Sequence, residues 1–133
     1  MDYPKELLTD VSWTFGLGAF GSESEFENEL KEYHDEVKGE TLDTNTAILE
    51  CTKVIIIYEV YDDDEEDFLE KELTLEPDNG SSFKLKELLY KINEEIAPEL
   101  EDQDKRFLEG LFFESSNDPA YPDTPIYNLF LGS

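Results

Sequence analysis

The chain has 133 residues, with 35 Asp or Glu against 10 Lys or Arg, which gives a formal net charge of −25 at pH 7. This length suits a single domain spanning residues 1–133, and 38% hydrophobic and 13% aromatic residues can supply a core, which excludes a wholly disordered acidic chain. The negative charge excludes direct binding to nucleic acid or to an anionic membrane and favours a basic partner.

The first helix is predicted over residues 22–38, because the segment opens with a capping box at Ser22 and Glu25 and then places apolar residues at helical spacing. Those apolar positions are Phe26, Leu30, Tyr33 and Val37. The preceding segment, 1–21, is left unassigned, with residues 11–15 interpreted as either an edge strand or part of a loop.

Two strands are predicted next. Residues 47–61 alternate apolar side chains on one face, while Ile55 and Ile57 point to the other, so the middle of this strand is expected to be covered on both sides. A polar turn at 62–67 leads to a second strand that ends near Leu75, in which leucines alternate with charged residues.

A second helix is predicted from about Ser82 to Ala97, ended by Pro98, and two further strands are predicted at 107–114 and 126–131. Consecutive strands joined by short turns predict an antiparallel sheet of about four strands with the two helices packed on one face. The expected fold class is therefore α+β.

The segment from Gly16 to Gly21 reads G-x-G-x-x-G, the pattern of a dinucleotide-binding loop. Such loops bind pyrophosphate through the N–H groups of a helix N-terminus. Here Ser22 is expected to cap the helix, and the glutamates crowding its first turns would repel phosphate. We therefore interpret the segment as a turn before an acid-stabilised helix.

Residues suited to catalysis are few. His34 is the only histidine and is expected at the polar edge of the first helix, and Arg106 is the only arginine. Cys51 is the only cysteine and is interpreted as a small buried hydrophobic residue. Carboxylates are too numerous for any pair to be singled out as acid and base. The sequence predicts a non-enzyme without catalytic residues or cofactors.

The acidic turn at 62–67 offers carboxylates to a hard cation, but Asp67 stands where an EF-hand loop needs glycine, so no metal site is predicted. Between Glu59 and Glu76 there are ten acidic residues and one base, Lys71. A surface of this kind would attract a cationic partner and speed its capture.

The C-terminal part of the chain, residues 85–133, resembles bacterial immunity proteins of polymorphic-toxin systems. The similar segments are Leu85-Lys86-Glu87-Leu88-Leu89, Arg106-Phe107-Leu108-Glu109-Gly110-Leu111, Pro125-Ile126-Tyr127 and Leu131-Gly132-Ser133. The resemblance implies a non-enzymatic inhibitor that binds and occludes a basic toxin or another cationic protein.

Two acidic patches are the predicted partner-binding sites. The first is the turn, which comprises Tyr61, Asp62, Asp63, Asp64, Glu65 and Glu66; the second comprises Glu101, Asp102 and Asp104. The alternative function is a DNA mimic of anti-restriction or anti-defence type, which would present carboxylates at phosphate-like spacing. The first helix offers such a row in Glu25, Glu29, Glu32 and Glu36.

The N-terminal residues show no basic stretch followed by an apolar one, and the longest aliphatic run, Val54–Ile57, is too short for a membrane span. The single cysteine cannot form an internal disulfide. We expect a cytoplasmic protein without a signal peptide or membrane contact. Adaptation to high salt stays open as another explanation of the acidity.

Overall fold

The computed structural model describes residues 3–100, 103, 106–115 and 124–132. The fold class is α+β, as predicted. In chain order the elements are β1 (Glu6–Leu7), a 3₁₀ helix (Phe15–Leu17), α1 (Glu23–Lys38), β2 (Ala47–Glu50), β3 (Val54–Asp62), β4 (Asp67–Leu75), β5 (Ser82–Lys84), α2 (Leu85–Leu100), β6 (Phe107–Ser115) and β7 (Ile126–Gly132).

The strands form a five-stranded sheet in the order β1-β6-β7-β3-β4 and a two-stranded sheet of β2 and β5. Neighbouring strands are antiparallel except β3 and β7, which run parallel from the pair Ile55/Ile126 to the pair Ile57/Asn128. The predicted antiparallel sheet of about four strands is therefore confirmed only in part, because the sheet is mostly antiparallel but has five strands and one parallel pair. The connection through α2 carries the chain back across the sheet, and parallel pairing requires such a crossover.

The single strand predicted at 47–61 is two strands in different sheets. β2 pairs with β5, whereas β3 pairs with β4 and β7, and residues 51–53 join them. The joining residues 51–53 contain no Gly, Pro, Asn or Asp, so the sequence carries no turn signal where the chain changes sheet.

The second helix also differs from its prediction, because Ser82–Lys84 is strand β5 and α2 begins at Leu85. Pro98 does not end α2, which continues to Leu100. A proline removes the hydrogen bond that its own nitrogen would donate and crowds the carbonyl four residues earlier, but the residues after it keep their N–H groups, so a helix can extend for a short distance beyond it.

The first helix is confirmed. Ser22 caps α1 by accepting a hydrogen bond from the Glu25 N–H, and Gly39 ends it in the left-handed conformation, with φ of 70°. His34 is buried on α1, with its Nδ1 accepting a hydrogen bond of 3.1 Å from the Ser12 N–H, so its expected place at the polar edge is wrong. Residues 11–15, interpreted as an edge strand or part of a loop, form no strand. Their β-pairing is a single isolated bridge between Thr14 and Phe107.

The core lies between one face of the five-stranded sheet and α2. Alternate residues of β3, namely Val54, Ile56 and Tyr58, join one buried cluster with the apolar side of α2. That side of α2 comprises Leu88, Leu89, Ile92 and Ile96. The helix α1 packs on α2, with the Phe26 and Tyr90 ring centroids 5.6 Å apart. We call the sheet face toward α2 the inner face and the opposite one the outer face.

Candidate functional site

The outer face combines aromatic and acidic side chains because of the strand register. In β3 the residues that alternate with the core positions are Ile57, Glu59 and Tyr61. Antiparallel pairing places Phe68 opposite Tyr61, and Glu70 opposite Glu59. Parallel pairing places Asn128 beside Ile57, so Phe130, two residues further along β7, shares the outer face.

The exposed aromatic side chains of this face include Tyr61 at 40%, Phe68 at 50% and Phe130 at 49%. The rings of Tyr61 and Phe68 meet edge to face, with centroids 5.3 Å apart. The ring centroids of Phe130 and Phe112 are 4.7 Å apart. Exposed aromatic side chains grouped on one face are typical of a surface that contacts another molecule.

The outer face is strongly acidic. Lys71 is the only basic residue in the five strands of the main sheet, and its ammonium group binds Glu99 of α2 on the inner side. The carboxylates of Glu59, Glu70, Glu72 and Glu109 are exposed. The strands therefore present negative charge on the outer face, because their one basic residue, Lys71, forms its ion pair on the inner side.

The acidic turn joins β3 and β4 beside these aromatic rings. The Asp62 side chain accepts a hydrogen bond of 2.9 Å from the Asp64 N–H, and Glu66 adopts a positive φ of 53°. Asp63, Asp64, Glu65 and Glu66 are exposed, whereas Asp62 is half-buried. The structure thus brings the predicted turn residues and Tyr61 together at one end of the outer face.

The second predicted patch is described only in part, because Glu101, Asp102 and Asp104 lie outside the described residues. Gln103 lies against β3. Its Nε2 donates to the Tyr61 carbonyl at 3.2 Å, and its Oε1 accepts from the Tyr61 N–H at 2.9 Å. The role of Gln103 is not predictable from the sequence, because a single polar amide between acids gives no pattern that points to a backbone partner.

A cleft of about 470 Å³ lies on the outer face where β3 and β7 cease to pair, and we call it the β3–β7 cleft. The pairing between the two strands ends at Ile57 and Asn128, while β3 continues to Asp62 and β7 to Gly132. Side chains from four neighbouring strands line the cleft, including Glu59, Phe68, Glu70, Glu109, Asn128 and Phe130. This cleft is not predictable from the sequence, because it depends on where two strands that are distant in the chain separate.

The glycine-rich loop is occupied by a side chain of the protein itself. The Glu94 carboxylate accepts hydrogen bonds from the Phe20 N–H at 2.8 Å and the Gly21 N–H at 2.6 Å. These are the kind of backbone donors that a phosphate group would need. A carboxylate of α2 therefore holds the loop against the helix, which agrees with the interpretation of this segment as a turn.

Cys51 is buried, and burial raises the pKa of its thiol to about 11. A thiol with so high a pKa carries almost no thiolate at neutral pH, so it is a poor nucleophile. In residues 3–100, 103, 106–115 and 124–132, His, Cys, Asp and Glu side chains form no group of three or more that could hold a metal ion. No helix in that part of the chain is long and apolar enough to cross a membrane.

The chain matches no protein-family model, and no curated protein or solved structure is significantly similar to it. The function must therefore be inferred from the residues and their arrangement.

Proposed function

We propose that the protein is a non-enzymatic acidic inhibitor of the immunity type. It binds a basic toxin or another cationic protein in the cytoplasm and occludes the surface that this partner uses for its substrate. The observation that carries the proposal is the outer face, where exposed aromatic rings lie among exposed carboxylates and the strands contribute no cation.

The two kinds of residue have complementary roles in such an interface. Long-range attraction by the carboxylates raises the rate of association with a basic partner. Aromatic side chains such as Tyr61, Phe68 and Phe130 provide buried contact area, and residues of this type carry much of the binding energy in protein interfaces. Because the acidic turn follows Tyr61 directly, attraction and contact occur at the same place.

The first experiment is a pull-down from lysate of the native host at low and then moderate salt. A dedicated inhibitor retains one basic protein at both salt concentrations, since aromatic contacts persist when charges are screened. Retention of no protein at either salt concentration would contradict the proposal.

The second experiment locates the binding face with two triple variants of equal charge change. The turn variant is Asp63→Lys, Asp64→Lys and Glu65→Lys, and the control variant on α1 is Glu29→Lys, Glu32→Lys and Glu36→Lys. All six residues are exposed. Association with the captured partner should slow by about tenfold or more in the turn variant and change much less in the control. Equal slowing of association in both variants would show that association depends on net charge alone and not on the turn.

A DNA mimic is the second candidate, and one observation favours it. Glu25, Glu29, Glu32 and Glu36 are all exposed and recur at three- and four-residue intervals along α1, so they form one acidic row. A mimic would bind several DNA-binding proteins and lose them together as the salt concentration rises. In that case the α1 variant would lose binding and the turn variant would retain it.

A further inference from the structure

The β3–β7 cleft is large enough to admit a basic side chain and has the composition of a site for one. We propose that it binds an arginine side chain of the partner protein. This inference rests on the proposed function and extends it, because it names the chemical group that the outer face recognises and where that group is held.

The strand register creates an electrostatic reason for a cation in the cleft. Glu59 and Glu70 are directly opposite each other on β3 and β4, and both line the cleft. Like charges at directly opposed positions of an antiparallel pair destabilise the sheet. A cation bound between the two carboxylates would remove that repulsion, and this relief would contribute favourably to the free energy of binding. Glu109 of β6 adds a third carboxylate from the far side.

The backbone of β3 adds an acceptor at the same place. The Ile55 N–H bonds to Pro125 on the β7 side, and both backbone groups of Tyr61 bond to Gln103. Residues two apart on a strand direct their N–H and C=O groups to the same edge, so those of Glu59 also point toward β7. Glu59 lies beyond the pairing of β3 with β7, which ends at Ile57. Its carbonyl oxygen is therefore directed at the cleft.

The lining favours arginine over lysine. A guanidinium group has five N–H donors in one plane, so it can bind two carboxylates and a carbonyl oxygen together. Its flat faces also stack on aromatic rings, and Phe68 and Phe130 line the cleft. A lysine ammonium is more strongly hydrated and lacks the planar face that stacks on an aromatic ring.

The test uses the intact protein and three blocked tripeptides, acetyl-Gly-Xaa-Gly-amide, in which Xaa is arginine, lysine or citrulline. Citrulline has the shape of arginine without its charge. Binding is followed by ¹H–¹⁵N NMR titration. We expect the arginine peptide to bind in the millimolar range and to shift the amide signals of Glu59, Asn128 and Phe130. The lysine peptide should bind more weakly, and the citrulline peptide should leave these signals unchanged.

Two variants examine the carboxylates. Glu70→Gln should weaken arginine-peptide binding by about tenfold, the effect of losing one charge-assisted hydrogen bond. Glu70→Lys should abolish binding and raise Tm, because a lysine opposite Glu59 replaces repulsion with attraction. A higher Tm together with lost binding shows that the variant is folded. The matched control is Glu40→Lys, an exposed residue just after α1 and outside both acidic patches, which should leave tripeptide binding unchanged.

The titration needs no partner protein, so its result is separate from that of the pull-down. Equal shifts with arginine and citrulline, or unchanged binding in Glu70→Lys, would overturn the assignment of the cleft while leaving the inhibitor proposal standing. Binding of the arginine peptide in the cleft without capture of any basic protein would uphold the cleft and count against the inhibitor proposal.

Discussion

The Tyr58 hydroxyl donates a hydrogen bond of 2.6 Å to Oε2 of Glu99, joining the inner face of the sheet to the end of α2. The Lys71 ammonium binds the other oxygen of the same carboxylate. Burial raises the pKa of Glu99, but its hydrogen bonds with Lys71 and Tyr58 outweigh burial, so the net pKa lies below its ordinary value of 4.5. Glu99 thus belongs to the framework behind the candidate binding face.

Replacing Glu99 should destabilise the protein in a pH-dependent way. Glu99→Gln should lower the free energy of unfolding at pH 7 by about 1 kcal/mol, because it weakens two hydrogen bonds to a half-exposed carboxylate. A carboxyl whose pKa is lowered by folding stabilises the protein above its ordinary pKa and loses that effect as the pH falls through the folded value. The difference between the parent and the variant should therefore shrink below about pH 4.5.

Urea titrations at several pH values measure this difference. The control is Glu95→Gln, an exposed position on the same helix, which should change stability by less than about 0.5 kcal/mol. A difference for Glu99→Gln that stayed constant from pH 7 to pH 3 would contradict the assigned role of the carboxylate.

The second prediction concerns the buried Asn93. It accepts a hydrogen bond of 3.1 Å from Trp13 Nε1 and donates one of 3.0 Å to the Gly18 carbonyl. Asn93→Leu keeps most of the side-chain volume but leaves two polar groups without their partner, so it should cost about 2–4 kcal/mol. Unfolding can be followed by the fluorescence of Trp13, the only tryptophan. An Asn93→Leu protein as stable as the parent would show that packing alone fixes this region.

The third prediction concerns the loop that Glu94 holds. Glu94→Gln retains one acceptor oxygen and Glu94→Ala retains none, so destabilisation should increase from the first to the second, reaching about 1–3 kcal/mol. Hydrogen exchange of the Phe20 and Gly21 amides should accelerate in the same order, because both donate to this carboxylate. Exchange at these two amides that did not change in Glu94→Ala would rule out the carboxylate as their acceptor.

The fourth prediction concerns Cys51. With its pKa raised to about 11 by burial, the thiol should react with an aromatic disulfide reagent at least about tenfold more slowly in the folded protein than in urea. The rate in the folded protein should continue to rise with pH beyond the range in which an exposed thiol levels off. A reaction as fast in native buffer as in urea would show that the residue is accessible.

The sequence determined the features that depend on near neighbours. The cap at Ser22, the apolar spacing of α1 and the glycine after it are local signals, and α1 was predicted within one residue at its start. The acidic turn is predictable for the same reason, since a short run of carboxylates between two strand patterns indicates a turn that joins the strands. The acidic character of the candidate site could likewise be predicted from composition alone.

The tertiary structure decided the features that depend on residues far apart in the chain. Three features are of this kind: β2 and β3 belong to different sheets, β7 lies beside β3, and Gln103 binds the backbone of Tyr61. None of these pairings changes the hydrophobic periodicity of the segments involved, so the periodicity does not reveal them. A strand pattern states which side chains share a face, but it does not state which strand will lie alongside. The β3–β7 cleft exists because β3 and β7 pair for three residues and then separate, and that is settled only when the whole sheet packs against α2.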